Sequence, residues 1–189
     1  AIFRGATLIV SNSSAVFGFP ASFTKSISAS VLGIPVIAIV AIIVALILAF
    51  LTIKTKLGRN IYALGGNKES AWYSGINVKL HTLIVFIISG LCAGIAGIVL
   101  LGRVGSAEPA AATGFETYAI AAAIIGGTSF FGGKGKIHGV VVGGLIIGVI
   151  NYGMNILSLS STLQQVVMGA LIIGSVALDR FVGSKNTSK

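Results

Sequence analysis

Acidic residues are scarce in this chain of 189 residues: Asp and Glu number 4 against 13 Lys and Arg, and charged residues make up only 9%. Hydrophobic residues make up 55% of the sequence, and its mean hydropathy is +1.02. A water-soluble domain of this composition would expose far more apolar surface than water tolerates. The composition therefore excludes a soluble globular protein and predicts an integral membrane protein.

Groups that could perform chemistry are equally sparse. The single cysteine, Cys92, lies within an apolar run, which excludes a disulfide framework. The acids are far apart, and His81 and His138 lie at the edges of apolar runs, where we interpret them as headgroup-level residues rather than ligands. We therefore expect no enzyme activity, no metal and no cofactor bound by this chain. The net charge of +9 does not indicate nucleic acid, because no basic stripe with interleaved aromatic residues is present.

The long polar interruption of the sequence is residues 54–81. It holds five of the 13 basic residues and one acid, Glu69. Short loops rich in Lys and Arg remain on the cytoplasmic side of a membrane, so we expect this segment there. Within it, the pattern predicts a short helix over 67–76, with Asn67 as its N-cap and Gly75 as its stop.

Apolar runs on both sides of this segment predict an all-α, polytopic membrane fold. Residues 1–10 look like the end of a membrane helix, and 11–33 like an ordered extracytoplasmic loop with a short helix at 21–31. A helix of twenty residues covers the hydrocarbon core of about 30 Å. Including the short segment discussed next, we expect about five membrane helices plus the partial one at the start. The four long spans are 34–53, 82–102, 138–157 and 162–182.

Residues 118–131 are apolar but too few to cross a bilayer as a regular helix. We expect a broken helix shielded by protein, or a re-entrant segment. The first alternative places ten basic residues inside, including Arg180, Lys185 and Lys189, and three outside, which favours a cytoplasmic C-terminus. The second would put the basic tail outside and is disfavoured.

Two further features concern the membrane helices. Gly90 and Gly94 form a GxxxG pair, which is typical of a close helix contact in a membrane. Asn151, Tyr152 and Asn155 are polar residues within an apolar helix, where unpaired polar atoms are costly. They could line a pore that passes polar solutes, or they could join helices by hydrogen bonds. Both interpretations stay open.

Three motifs carry a resemblance to a known family: GRNIYALGGN in the basic segment, SAEPAAATGFE after the second long span, and IIGGTSFFGGKGKI. They resemble the membrane permease subunits of the ribose/galactose/xylose-type sugar ABC importers, and the resemblance runs from Arg4 to about Asp179. It implies about ten spans in the whole protein. We therefore expect 1–189 to be a single transmembrane permease domain, the C-terminal half of a longer permease.

The resemblance also implies partners and a mechanism. Two permease copies, identical or different, would form the path through the lipid bilayer of the bacterial plasma (inner) membrane. An ATP-binding cassette subunit would hydrolyse the ATP, and an extracytoplasmic binding protein would deliver a monosaccharide such as ribose. Glu69, Ala71 and Gly75 look like the coupling motif of importer permeases, and Lys134 and Lys136 belong to a second cytoplasmic element that could touch the ATPase.

Two alternatives remain at this level. The first is a permease of the related branched-chain amino acid type, which shares a Gly-rich late segment. The second is an independent ion-coupled carrier. Carriers of that class usually need an ionisable residue inside the membrane, and no Asp, Glu, Lys or Arg lies centrally in the four long spans.

Overall fold

The computed structural model describes residues 2–186, with the side chains of residues 2–177. The described chain is mostly helical, with one small antiparallel hairpin, in agreement with the predicted all-α polytopic fold. The basic side chains of the predicted tail, Arg180, Lys185 and Lys189, lie outside the described residues. The elements are α1 (Ile2–Val10), α2 (Ala21–Ser28), β1 (Ser30–Val31), β2 (Ile34–Pro35), α3 (Val36–Lys54), α4 (Lys56–Gly66), α5 (Lys68–Tyr73), α6 (Val78–Val104), α7 (Phe115–Ile125), α8 (Ile137–Ile156) and α9 (Ser161–Asn186).

Three of the four predicted long spans are confirmed as helices that are long and apolar enough to cross a membrane. Among the described residues these are α3, α6 and α8, with 19, 27 and 20 residues. The fourth, α9, is also helical, and its described apolar part is Ser161–Ala177. The predicted boundaries differ from the observed ones by a few residues, because hydropathy marks the bilayer core and not where the helix ends.

Contacts divide the chain into two compact units, and the prediction of one permease domain stays a prediction. Unit 1 comprises residues 1–46 and 83–113. Here Ile27 of α2 packs against Gly102 of α6, and Val16 pairs with Ala107 through two backbone hydrogen bonds of 2.9 Å. The predicted helix over 21–31 ends at Ser28, because the chain then turns into the β1–β2 hairpin.

Unit 2 comprises residues 47–82 and 114–189 and contains a small buried core between α7, α8 and α9. The helix predicted over 118–131 is observed as α7, Phe115–Ile125, so it starts earlier and ends earlier than expected. It is shielded on one side by α8 and α9, as a broken membrane helix must be. The buried residues of this core are Ala121, Ala122, Ile147, Met154 and Met168.

Helix α7 ends at a glycine pair that stops it inside the apolar run. The N–H of Gly127, whose φ is +82°, donates to Ile124 O (2.9 Å), and Thr128 N–H donates to Ala123 O (3.0 Å). These two bonds form a Schellman motif, which requires the left-handed conformation that glycine adopts without strain. Residues 126–136, which we call the glycine turn, then lead into α8 without further helix.

Glycines also set the contact between α7 and α8. A Cβ on Gly143 would overlap the carbonyl oxygen of Ala122, and Gly126 and Gly139 stand backbone against backbone. The pair predicted for this role, Gly90 and Gly94 on α6, meets open space: no described atom lies within 4 Å of a Cβ at either position. The close contact predicted for Gly90 and Gly94 is not seen within the described residues and stays a prediction, whereas Gly139 and Gly143 approach α7 closely.

Candidate functional site

The basic segment is not an irregular loop but two consecutive helices, of which sequence reasoning predicted only the second. Helix α4 begins at Lys56, and the hydroxyl of its N-cap Thr55 accepts a hydrogen bond from Gly58 N–H (3.2 Å). It ends at Gly66, and Asn67 follows directly as the N-cap of α5. The Asn67 side-chain oxygen accepts from Ser70 N–H (2.9 Å), as the sequence predicted. The same residue therefore closes one helix and opens the next.

Helix α5 ends at Tyr73, within the predicted range 67–76, and Gly75 stops it as predicted. Gly75 has a φ of +80°; its N–H donates to Trp72 O (2.9 Å), and Ile76 N–H donates to Ala71 O (3.0 Å). This is a second Schellman motif. It fixes where the chain leaves α5, so the short helix has a defined end at both termini.

The predicted coupling residues of α5 do not share one environment. Glu69 and Gly75 are exposed, whereas Ala71 is buried (3% exposed) and holds α5 against the rest of the chain. Trp72 and Tyr73, which were not singled out from the sequence, are 63% and 81% exposed. Their rings lie edge to face with centroids 5.0 Å apart. They border a shallow groove lined by Lys68, Glu69, Trp72, Tyr73, Gly75, Ile76, Asn77, Val78 and Lys79.

The second predicted element, with Lys134 and Lys136, lies in the glycine turn, and both lysines are exposed. The turn is closed by Ser129 N–H, which donates to Lys134 O (3.0 Å). Gly132 and Gly133 have φ values of +93° and +71°, a conformation that side-chain-bearing residues rarely adopt. The two lysines therefore lie on a turn with a defined backbone conformation rather than on a helix.

The structure brings the two predicted elements together through α4. Tyr62 donates its hydroxyl hydrogen to Gly135 O (2.9 Å). The backbone of Gly65 lies against that of Gly132 and Gly133, so closely that a Cβ on Gly65 would be 2.7 Å from Gly133 N. Sequence reasoning missed this contact. The signal was present as paired glycines in both motifs, GRNIYALGGN and GGTSFFGGKGK, but nothing in the sequence pairs them with each other.

Helix α4 is also joined to the start of α6. The Nε2 atom of His81 lies 2.9 Å from the side-chain nitrogen of Asn60, and its Nδ1 lies 2.8 Å from Asn77 O. The tautomer with hydrogen on Nδ1 satisfies both contacts, because Nε2 then accepts from Asn60. His81, interpreted from the sequence as a headgroup-level residue, therefore connects two helices.

The three candidate pore residues lie in the last turns of α8. Asn155 donates to Asn151 O (2.9 Å), and Gln164 of α9 donates to Asn155 Oδ1 (3.4 Å) and to Leu159 O (3.0 Å). Asn155 thus takes part in an interhelical hydrogen bond, whereas Tyr152 is 70% exposed. Both interpretations from the sequence keep support, and the pore-lining role stays a prediction.

Comparison with known proteins gives the family. Residues 2–176 match the family described as the permease component of branched-chain amino acid transport systems. The chain belongs to this family. It is a multi-pass membrane permease by family and by its apolar helices.

Three curated relatives that this permease chain matches are named for sugars. It is 65% identical to the D-allose transport system permease protein of Escherichia coli K12 over 96% of the chain, and 41% identical to the ribose import permease of Bacillus subtilis 168 over 95%. It is 38% identical to the L-arabinose transport system permease of Escherichia coli K12 over 95%. The chain spans about half the length of these relatives, 55–56%. No solved structure matches it.

Proposed function

We propose that this chain is the membrane permease part of an ATP-driven importer for a monosaccharide. The observation that supports this most directly is the exposed surface of α5, with Trp72 and Tyr73 beside a lysine-containing groove. An aromatic pair on a short, doubly capped helix suits docking to a partner protein, because rigid aromatic side chains bury a large area at little cost in conformational entropy. The partner we propose is an ATP-binding cassette subunit on the cytoplasmic side.

The contact between α4 and the glycine turn supports placing both basic elements on one side of the membrane. Their Lys and Arg content makes that side cytoplasmic, and the C-terminus then lies there too. Alternating access would follow from a rigid-body movement of the docked ATPase that reorients the membrane helices. A second permease copy and an extracytoplasmic sugar-binding protein would complete the importer. In this scheme ATP is hydrolysed by the partner subunit.

For the substrate we propose a monosaccharide, with D-allose first to be tested and ribose and L-arabinose next. The order follows the identities of 65%, 41% and 38% to the relatives named for these sugars. Branched-chain amino acids belong in the same panel, because the family description names them. An uptake assay with the reconstituted complex separates these substrates, and dependence on an ion gradient instead of ATP would support a carrier.

The docking surface is tested by replacing Tyr73 with Asp in the full-length protein and measuring copurification of the ATP-binding subunit. We expect copurification to fall at least tenfold, since a desolvated aromatic residue at the centre of an interface typically contributes 2 kcal/mol or more. The control is Phe17→Ser, which changes an aromatic residue that is 73% exposed in the segment predicted to be extracytoplasmic. Equal copurification with both variants would show that α5 is not the docking surface.

A further inference from the structure

Tyr62 occupies a position that the proposed docking surface does not explain. It is half-buried, does not line the groove beside α5, and is hydrogen-bonded to Gly135 across 73 residues of sequence. Its hydroxyl donates to a backbone carbonyl in the glycine turn, the segment that joins α7 to α8. A side chain of α4 thereby connects the basic segment to the helices of the unit 2 core.

Close to this hydrogen bond, the backbone at the end of α4 packs directly against the backbone of the glycine turn. A Cβ on Gly132 would be 2.5 Å from Gly65 O, and a Cβ on Gly133 would be 2.7 Å from Gly66 Cα. The end of α4 and the glycine turn are therefore in direct backbone contact. Such contact transmits a displacement without the slack that flexible side chains would add.

At the C-terminal end of α4, Asn67 is the one residue between α4 and α5, and it caps both helices. On the far side of the glycine turn, Gly126 and Gly139 bring α7 and α8 into backbone contact as well. A continuous series of close contacts thus runs from α5 through α4 and the glycine turn to the α7–α8 pair. All of these residues belong to unit 2.

We propose that Tyr62 is a positioning residue for energy coupling: its hydrogen bond to Gly135 holds the glycine turn on α4, so that movement of α5 reaches α7 and α8. This inference rests on the proposed function. Without the bond the ring and the backbone contact at Gly65 stay in place, but the turn is held to α4 less firmly and follows its movement less closely. The permease would then dock its ATPase normally and respond to it poorly.

The test uses the full-length protein assembled with its ATP-binding subunit and binding protein in proteoliposomes, with sugar uptake and ATP hydrolysis measured together. For Tyr62→Phe we expect normal copurification, hydrolysis within about twofold of the parent, and about fivefold less sugar transported per ATP, which corresponds to the loss of one hydrogen bond of ordinary net strength. A purely structural defect would lower both activities together and leave their ratio unchanged.

The matched control is Tyr118→Phe in α7. It removes the same hydroxyl group from a half-buried tyrosine whose hydroxyl makes no hydrogen bond within the described part of the chain. We expect its ratio of transport to hydrolysis to equal that of the parent. A second pair is Gly65→Ala, which pushes the glycine turn away, and Gly66→Ala, whose added methyl group meets open space. Only the first should lower the ratio.

The outcomes separate this inference from the proposed function. Absence of ATP-dependent sugar uptake in the parent complex would overturn the proposed function itself. An unchanged ratio in both Tyr62→Phe and Gly65→Ala, in a complex that transports, would overturn the positioning role alone. Loss of the ATP-binding subunit from Tyr62→Phe would do the same, because it would place Tyr62 in docking rather than in transmission.

Discussion

The close contact between α7 and α8 predicts opposite changes in stability when either of two adjacent glycines is replaced by alanine. An added Cβ at Gly143 would overlap Ala122 O and lie 2.8 Å from Gly126 N, whereas at Gly144 it would meet no atom within 4 Å. The atoms facing Gly143 belong to the backbone and cannot rotate away. Helix α8 must therefore move off α7 to accept alanine at position 143, while alanine at 144 needs no movement.

The magnitude follows from two opposing terms. Overpacking a well-packed core costs about 1–3 kcal/mol, and we expect the upper part of that range because the clash is with backbone. Alanine in place of glycine within a helix recovers at most about 1 kcal/mol. Gly143→Ala should thus lower the free energy of unfolding by about 1–2 kcal/mol, and Gly144→Ala should raise it by up to about 1 kcal/mol.

The assay is thermal unfolding of the full-length protein in detergent, with both variants compared with the parent. The two effects have opposite signs and differ by about 1–3 kcal/mol, so at roughly 2–4 °C per kcal/mol the Tm of Gly143→Ala should lie about 2–12 °C below that of Gly144→Ala. A Gly143→Ala protein that melts as high as Gly144→Ala would refute the close α7–α8 approach. It would also remove the last contact in the series through which Tyr62 is proposed to act.

Two further predictions concern the core and the α4–α5 junction. Met168 has no exposed surface, so Met168→Ala should lower the free energy of unfolding by about 2–5 kcal/mol. Ile173 lies on the same helix and is 72% exposed, so Ile173→Ala should change that free energy by about 0.5 kcal/mol or less. Equal Tm values for the two variants would contradict the packing of α9. Asn67→Ala removes the N-cap of α5 and should destabilise that helix by about 1 kcal/mol. Amide hydrogen exchange at Ser70 should then become several-fold faster, while exchange in α8 stays unchanged. Unchanged exchange at Ser70 would show that the cap is dispensable.

The long helices could be predicted because a bilayer imposes a simple requirement. Each span must be apolar over about twenty residues, and a sequence that satisfies this leaves little choice of structure. The N-cap at Asn67 and the stop at Gly75 were predictable for a similar reason, since both depend on the local chemistry of one residue. The family itself could be recognised from short motifs and was confirmed.

Where prediction failed, the missing information was not local. Helix α7 ends at Gly126–Gly127 rather than at Phe131, because the Schellman motif stops it although apolar residues continue. Helix α4 was missed since charge, not periodicity, dominated the interpretation of its sequence. The GxxxG pair at Gly139–Gly143 was not singled out from the sequence, because only the position of α7 shows that it makes a close contact.

The candidate site shows the same division. Of the predicted coupling residues, Glu69, Gly75, Lys134 and Lys136 are exposed, whereas Ala71 is buried. The exposed pair Trp72–Tyr73 and the bond from Tyr62 to Gly135 could not be read from the sequence, because they depend on which face of α5 packs and on a contact between distant segments. The roles of these residues in coupling, and of Asn151, Tyr152 and Asn155 in a pore, stay predictions.

The junction at Asn67 has a consequence for how the length of this segment can vary. Since one residue ends α4 and starts α5, no spare residue exists to absorb an insertion or a deletion. In an α-helix one added residue turns everything beyond it by about 100° and advances it by about 1.5 Å. A one-residue deletion before Trp72 turns it by the same angle in the other direction and would place Trp72 at the position of Ala71, which is buried. The number of residues between Gly65 and Trp72 is therefore fixed by this geometry.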